Sequence, residues 1–314
     1  LDGTLNAHLA LKGSPKKPLA SGTIQGSALK LAQNDWLLNL FDGTLDLTIN
    51  QNVLQLKEFF WKSGLQKPPP LLTKQPDAKN LADLTEKPGS IRANGHLRLM
   101  TQEEDNARLN IQLDRFGPVQ QADQWLILSG NAEAHWEKES LAAKGDLKID
   151  AGFWQIKGFG SPSLSSDVVV RKTLETQVQP KKIIWQPRVA LNIDMGRHFM
   201  FTGYGLSTLL DGRLKIIAEG HDLPRAEGTI NTRGGRFEAY GQRLMIRRGR
   251  LNFENLINNP TLDVEAFRLG GKISSGVKIS GTVERPEISL ISEPNVPDAE
   301  KLSWLVLGHC PEDM

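Results

Sequence analysis

One cysteine, two tyrosines and no apolar run near 18 residues stand out in a chain of 314 residues. A lone Cys310 cannot form a disulfide within the chain. That fits the cytosol, or a periplasmic protein held together by strand pairing alone. Without a long apolar run there is no candidate membrane-spanning helix. The net charge is +2, so no general excess of positive charge points to nucleic acid. The six histidines (8, 96, 135, 198, 221 and 309) show no HxH, HxxxH or His-Cys spacing, which gives no metal site. No GxSxG elbow is present, and GYGLSTLLDG (203–212) lacks the Lys-Ser/Thr of a phosphate loop. Acidic side chains such as Asp46, Asp146 and Glu265 fall on polar strand positions rather than in clusters. These absences give no motif for a cofactor or a metal, and composition leaves a Ser-His-Asp arrangement open. The chain opens at Leu1 in mid-pattern and reads as a piece of a longer protein, so absent targeting signals carry no weight.

What the sequence has in quantity is alternation of period two, often launched by glycine. GTLDLTIN puts Leu45, Leu47 and Ile49 on one face, and RLNIQL does the same with Leu109, Ile111 and Leu113. GHLRLM, GDLKIDAGFW, VALNIDM, GRLKIIA, RLMIRRG and EISLIS continue the theme. The units recur without a fixed period, which argues against a strict solenoid. Helical patterns are scarce. QNVLQLKEFFW (51–61) reads as a strand running into a short helix. PDAEKLSWLVLG (297–308) is the best helix, with Pro297 at its start, Asp298 and Glu300 in its first turn and Gly308 as its cap.

Four stretches follow. Residues 1–63 are a β-strand segment. Residues 64–90 carry five prolines and read as an inserted loop or linker, with a helical turn near Ala78 to Leu84. Residues 91–184 return to strands, with a soft boundary at 158–166. Residues 185–314 form a last β region ending in the helix. Many amphipathic strands with almost no helices leave three architectures: a sandwich, a closed barrel, or one long sheet folded over itself. The barrel ranks last, because aromatic girdles are missing and the strands read as short.

Paired in order, Leu214, Ile216, Phe237, Leu244, Ile246, Leu251, Phe253, Leu262 and Val264 would make a continuous apolar carpet. In a sandwich that carpet is ordinary core, which the pattern alone favours. In an open groove it would exceed what soluble monomers expose and would require a ligand. An acyl chain suits such a groove, since each methylene removed from water is worth about 0.8 kcal/mol. Seven arginines against two glutamates between 225 and 250 make a local basic stripe. Arg233, Arg236, Arg243, Arg247, Arg248 and Arg250 are candidate contacts for anionic headgroups or an acidic partner. Charged strands that resist sticking edge to edge explain them equally well.

The ordered blocks FTGYGLSTLLDGRL (201–214), AEGTINTRGGRFEAYGQRLMIRRGRLNFENLINNPTLDVEAFR (226–268) and GVKISGTVERPEISLISEPNVPDAEKLSWLVLG (276–308) resemble the C-terminal region of the TamB family, which are AsmA-like, bridge-like lipid transport proteins. The resemblance implies an all-β fold: an elongated, curved β-sheet folded into an open taco-like trough with a hydrophobic lumen and few short helices. It implies a periplasmic protein of a Gram-negative bacterium, anchored in the inner membrane by an N-terminal segment outside this sequence. It also implies phospholipid and the outer-membrane barrel TamA as partners, in a translocation and assembly module, and no catalytic residues. Family members usually continue past this C-terminus to the segment that meets the barrel. Within that family the expected role is passage of acyl chains from inner to outer membrane. The rival role is a scaffold or chaperone that assembles outer-membrane proteins, autotransporters included, by β-augmentation.

Overall fold

The computed structural model describes residues 2–14, 17–75, 78, 81–98, 107–137, 140–156, 187–203, 205–220, 222–239, 241–270 and 272–308. Leu99, Tyr204, Tyr240, His221, His309, Cys310 and the 158–166 boundary lie outside the described residues.

Among the described residues the alternating stretches become sixteen strands of one long curved sheet. The first eight are β1 (Asp2–Ser14), β2 (Lys17–Gln33), β3 (Leu38–Asn50), β4 (Val53–Ser63), β5 (Gly89–Arg98), β6 (Ala107–Gln120), β7 (Gln124–Glu137) and β8 (Ser140–Gln155). The rest are β9 (Arg188–Asp194), β10 (Phe199–Gly203), β11 (Leu206–Glu219), β12 (Arg225–Ala239), β13 (Gln242–Phe253), β14 (Thr261–Arg268), β15 (Ser274–Gly281) and β16 (Pro286–Glu293). The described residues also form three short helices: α1 (Pro70–Thr73) and α2 (Leu81–Glu86) between β4 and β5, and α3 (Asp298–Val306) after β16.

From β1 to β8 each strand pairs antiparallel with the next. The hairpins are tight where the local residues permit it. Gln51 and Asn52, both at positive φ, form the two-residue turn between Asn50 and Val53, and its handedness matches the strand twist. The pattern then changes. β8 runs parallel to β9 over Ala142–Lys148 and parallel to β10 over Gly152–Gln155. β9 and β10 lie antiparallel to the two ends of β11, so together they make one broken strand between β8 and β11. A parallel neighbour cannot be reached by a hairpin and needs a crossover of about a dozen residues or more. The connection between Gln155 and Arg188 supplies that length. From β11 to β16 the antiparallel meander resumes. Among the described residues β1 and β16 have no second neighbour, so the sheet does not close into a barrel.

Two local expectations fail. Residues 51–61 contain no helix, because Val53–Ser63 pairs on both sides as β4. The strands are also not short: β2 has 17 residues and β8 has 16. They read as shorter pieces because β-bulges interrupt the alternation in β2, β3, β4, β6, β8, β12 and β13. Each bulge adds an unpaired residue, bends its strand and raises the local twist. Repeated across neighbouring strands, they curve the sheet.

The bulge in β8 has the largest consequence. Leu128 faces Ile149 and Ile127 faces Ala151, leaving Asp150 without a partner in the ladder. Beyond it both faces are apolar. On one face Trp125, Phe153, Met200 and Leu209 follow one another across β7, β8, β10 and β11. On the other run Leu126, Gly152, Phe199 and Leu210. The first row is covered by the proline-rich connection, whose Leu72 and Leu81 pack on it with Ile127 and Ala151. Buried polar groups pin that connection down. Gln120 accepts from the Gln66 backbone N–H at 2.8 Å and donates to the Val119 and Leu126 carbonyls. Trp125 donates its indole N–H to the Gln66 carbonyl at 3.3 Å.

Candidate functional site

Residues directly opposite in a ladder share a face, so register shows which side chains form a surface. One line runs Ala7, Ile24, Leu47, Leu56, Gly95, Leu109, Ala134, Ala143, Val189, Ala218, one residue from each of β1 to β9 and then β11. A second runs Leu5, Gly26, Leu45, Phe59, Ala93, Ile111, Ala132, Gly145, Leu191, Ile216, Ala226 and reaches β12. A third runs Trp61, Ile91, Leu113, Gly130, Leu147, Ile193, Leu214, Gly228, Phe253. No polar side chain interrupts any of them. At about 4.8 Å per strand the second line extends roughly 50 Å along the sheet.

The opposite face is polar at the same level. Arg92, Gln112, Asn131, Asp146, Asn192, Lys215 and Glu227 form the matching line. Its amides and carboxylates bond to one another: Asn192 donates to Asp146 at 2.7 Å and Asn110 to Asn94 at 3.1 Å. The sheet is thus strongly two-faced over β2 to β9, yet among the described residues no second sheet lies on the apolar side. Leu109, Ile111, Leu113, Leu191 and Ile193 are accordingly half-buried rather than buried. At the β1 edge exposure rises, to 59% for Leu5 and 78% for Leu11.

The nine sequence candidates fall on this one face. Leu214 and Phe253 belong to the buried cluster that also contains Ile149, Met195, Ala226 and Ile230, with Ile216 and Leu251 packed against it. Leu244 and Ile246 belong to a second cluster with Ala266 and Val277, and Phe237 packs against that one. Leu262 lies opposite Leu251, and Val264 between Gly249 and Ile279. Sequence reasoning did not single out Phe59, Trp61, Ile91, Leu191 or Ile193, though the same alternation carries them. Their continuity across strands is a matter of register, which alternation alone does not report.

Over β13 to β15 the apolar face is covered by the chain itself. The helix expected at 297–308 forms over Asp298–Val306, and Gly308, at positive φ, closes it by donating to the Ser303 carbonyl. Its Leu305 packs into the cluster of Leu244, Ile246, Ala266 and Val277.

The arginine stripe lies on the polar face and is largely neutralised. Arg248 meets Glu265 at 2.6 Å and Asp263 at 3.1 Å. Arg247 makes a two-pronged pair with Glu293 and lies 3.8 Å over the Phe267 ring. Hydrogen bonds from Arg247 hold the Glu293 carboxyl below its ordinary range. Arg243 approaches Glu238 and Arg233 approaches Asp211, each at 3.6 Å. Arg236 and Arg250 point outward, both exposed. Apart from Glu238, the carboxylates that balance the stripe lie outside residues 225–250, which is why the local count of arginines overstated it. Among the described residues no group of three His, Cys, Asp or Glu could hold a metal, and no helix is long and apolar enough to cross a membrane.

Comparison with known proteins agrees with the residue blocks noted in the sequence. Residues 79–314 match the family model described as the TamB C-terminal domain. Over 319 aligned residues the chain is 26% identical to the translocation and assembly module subunit TamB of Haemophilus influenzae. That alignment covers 99% of this chain and 23% of the relative, so the chain spans about a quarter of the relative's length.

Proposed function

The chain belongs to the TamB family, and from that membership we propose that it is a periplasmic segment of a bridge that carries phospholipid from inner to outer membrane within a translocation and assembly module. Acyl chains lie in a hydrophobic groove formed by the apolar face, while headgroups remain toward water. No covalent step is involved. The observation that carries this reading is the set of apolar lines running unbroken across nine to eleven strands, with no second sheet against them among the described residues. Soluble monomers rarely expose apolar patches beyond a few hundred Å², so such a surface calls for a partner. Length fits as well. One acyl chain reaches roughly 15 Å, half of a bilayer core of about 30 Å. The second line is therefore long enough for several chains end to end. The outer-membrane barrel TamA is the proposed protein partner, and an inner-membrane anchor would lie outside this chain.

The test is lipid that co-purifies with the protein, measured by mass spectrometry for the wild type, Ile111→Asp and Gln112→Glu. Ile111 is half-buried on the apolar face and Gln112 is its neighbour on the polar face. The reading expects phospholipid on the wild type and on Gln112→Glu, and a severalfold loss on Ile111→Asp. Equal loading of all three would remove its basis.

A second reading has its own observation. Among the described residues β1 and β16 each pair with a strand on one side only. Such edges can template another strand. On this reading the chain assists assembly of outer-membrane proteins, and prolines in an edge strand would impair it more than charges on the apolar face.

A further inference from the structure

The C-terminal helix sits where the proposed acyl chains would have to pass. Ile246, Ala266 and Val277 are direct register partners on the apolar face, and Leu305 of α3 lies on them, 1% exposed. The carbonyl end of the helix is held from the same face. Arg268, opposite Leu244, donates to the Trp304 and Leu305 carbonyls at 3.2 and 2.9 Å. Gln242 donates to the Val306 carbonyl at 3.0 Å, and Ser275 to the Lys301 carbonyl at 2.6 Å. The last carbonyls of a helix have no partner within it, and a cation at that end complements the dipole. Arg268 and Gln242 therefore act as a polar latch on groups that would otherwise be unpaired.

The docking is incomplete. The indole N–H of Trp304 is buried without a hydrogen-bond partner, and Leu302 and Leu307 remain exposed on the helix. An orphaned buried donor works against the closed position. The size of the plug also fits its site. Nine residues at 1.5 Å each give a helix of roughly 14 Å, close to the reach of one acyl chain.

We propose that α3 is a displaceable plug: it occupies an acyl-chain site on β13 to β15, and release of the Arg268–Gln242–Ser275 latch opens that site to lipid. The proposal rests on the acyl-chain reading above, and the experiment separates the two. The full chain is incubated with vesicles of phosphatidylethanolamine and phosphatidylglycerol that carry a photoactivatable acyl chain. Adducts are then mapped by peptide mass spectrometry in the wild type, Arg268→Ala and Leu305→Ser. The first variant weakens the latch and the second weakens only the helix's apolar contact.

The expected result is labelling around Ile111 and Leu191 in all three proteins. Labelling around Ile246 and Val277 should be at least tenfold higher in both variants than in the wild type. Equal labelling around Ile246 in all three overturns the plug and leaves the acyl-chain reading intact. So does an Ile246 region that stays unlabelled in both variants while Ile111 is labelled. If Ile111 and Leu191 are unlabelled in every protein, the acyl-chain reading fails and the plug fails with it.

Discussion

Ser129 donates a hydrogen bond to Asp150 across the β7–β8 ladder, 2.5 Å from Oγ to Oδ2, where the bulge sits. Burial pushes the Asp150 carboxyl above its ordinary range, and the Ser129 bond opposes that only in part. A carboxyl with a raised folded pKa contributes stability that is fully present below its unfolded value, near 3.8, and is lost as pH rises through the folded value. Asp150→Asn should therefore be more stable than wild type at pH 7, with the difference vanishing toward pH 3. Thermal melts across that range check it; a variant less stable at neutral pH would contradict it.

Leu81 is 1% exposed and lies with Leu72 on the Trp125–Phe153 row, on the face opposite the proposed groove. Leu81→Ala should cost about 2–5 kcal/mol in urea unfolding. It should leave co-purified lipid unchanged, because the apolar lines lie on the other side of the sheet. Loss of lipid in a folded variant would mean the two faces are not independent.

Gly212 has φ +132°, and a Cβ there would lie 2.1 Å from the Thr229 carbonyl oxygen on the neighbouring strand. Both strain and collision oppose any side chain. Gly212→Ala should destabilise by about 1–3 kcal/mol or more in thermal or chemical melts, with no compensation from lower unfolded-state entropy.

Arg248 and Ile246 lie two residues apart on opposite faces of β13. Arg248 is exposed and its partners Asp263 and Glu265 are only half-buried, so Arg248→Ala should change stability by no more than about 1 kcal/mol. Ile246 is 6% exposed, and Ile246→Ala should cost about 2–5 kcal/mol. Urea midpoints compare them directly. For the same reason a charge at Ile246 or Phe253 would unfold the sheet, and half-buried Ile111 is the better probe of ligand passage.

The strands and their apolar face were legible because alternation is local: Leu109, Ile111 and Leu113 announce themselves. So was α3, through Pro297, its acidic first turn and Gly308. The covered second face also left a trace, in the unbroken runs Trp125–Leu128 and Phe199–Phe201, since strands apolar on both sides are buried on both sides. That trace names no cover, and Leu72 and Leu81 lie some fifty residues away in a stretch that composition marks as loop. Bulges were illegible for a different reason. Asp150 and Arg247 look like ordinary polar positions, and only their missing partners in the ladder reveal them. The carboxylates that offset the arginines come from strands whose pairing is set by register rather than by neighbouring sequence.

The central claim is that lipid, and not protein, covers the lines through Ile111 and Leu191. A photo-cross-linking residue at Ile111 or Leu191, set against one at Gln112 or Asn192, tests it in cells with radiolabelled phospholipid. The account predicts labelled adducts at the first two positions and none at the second two. Equal labelling of both faces, or none at Ile111 and Leu191, would contradict it.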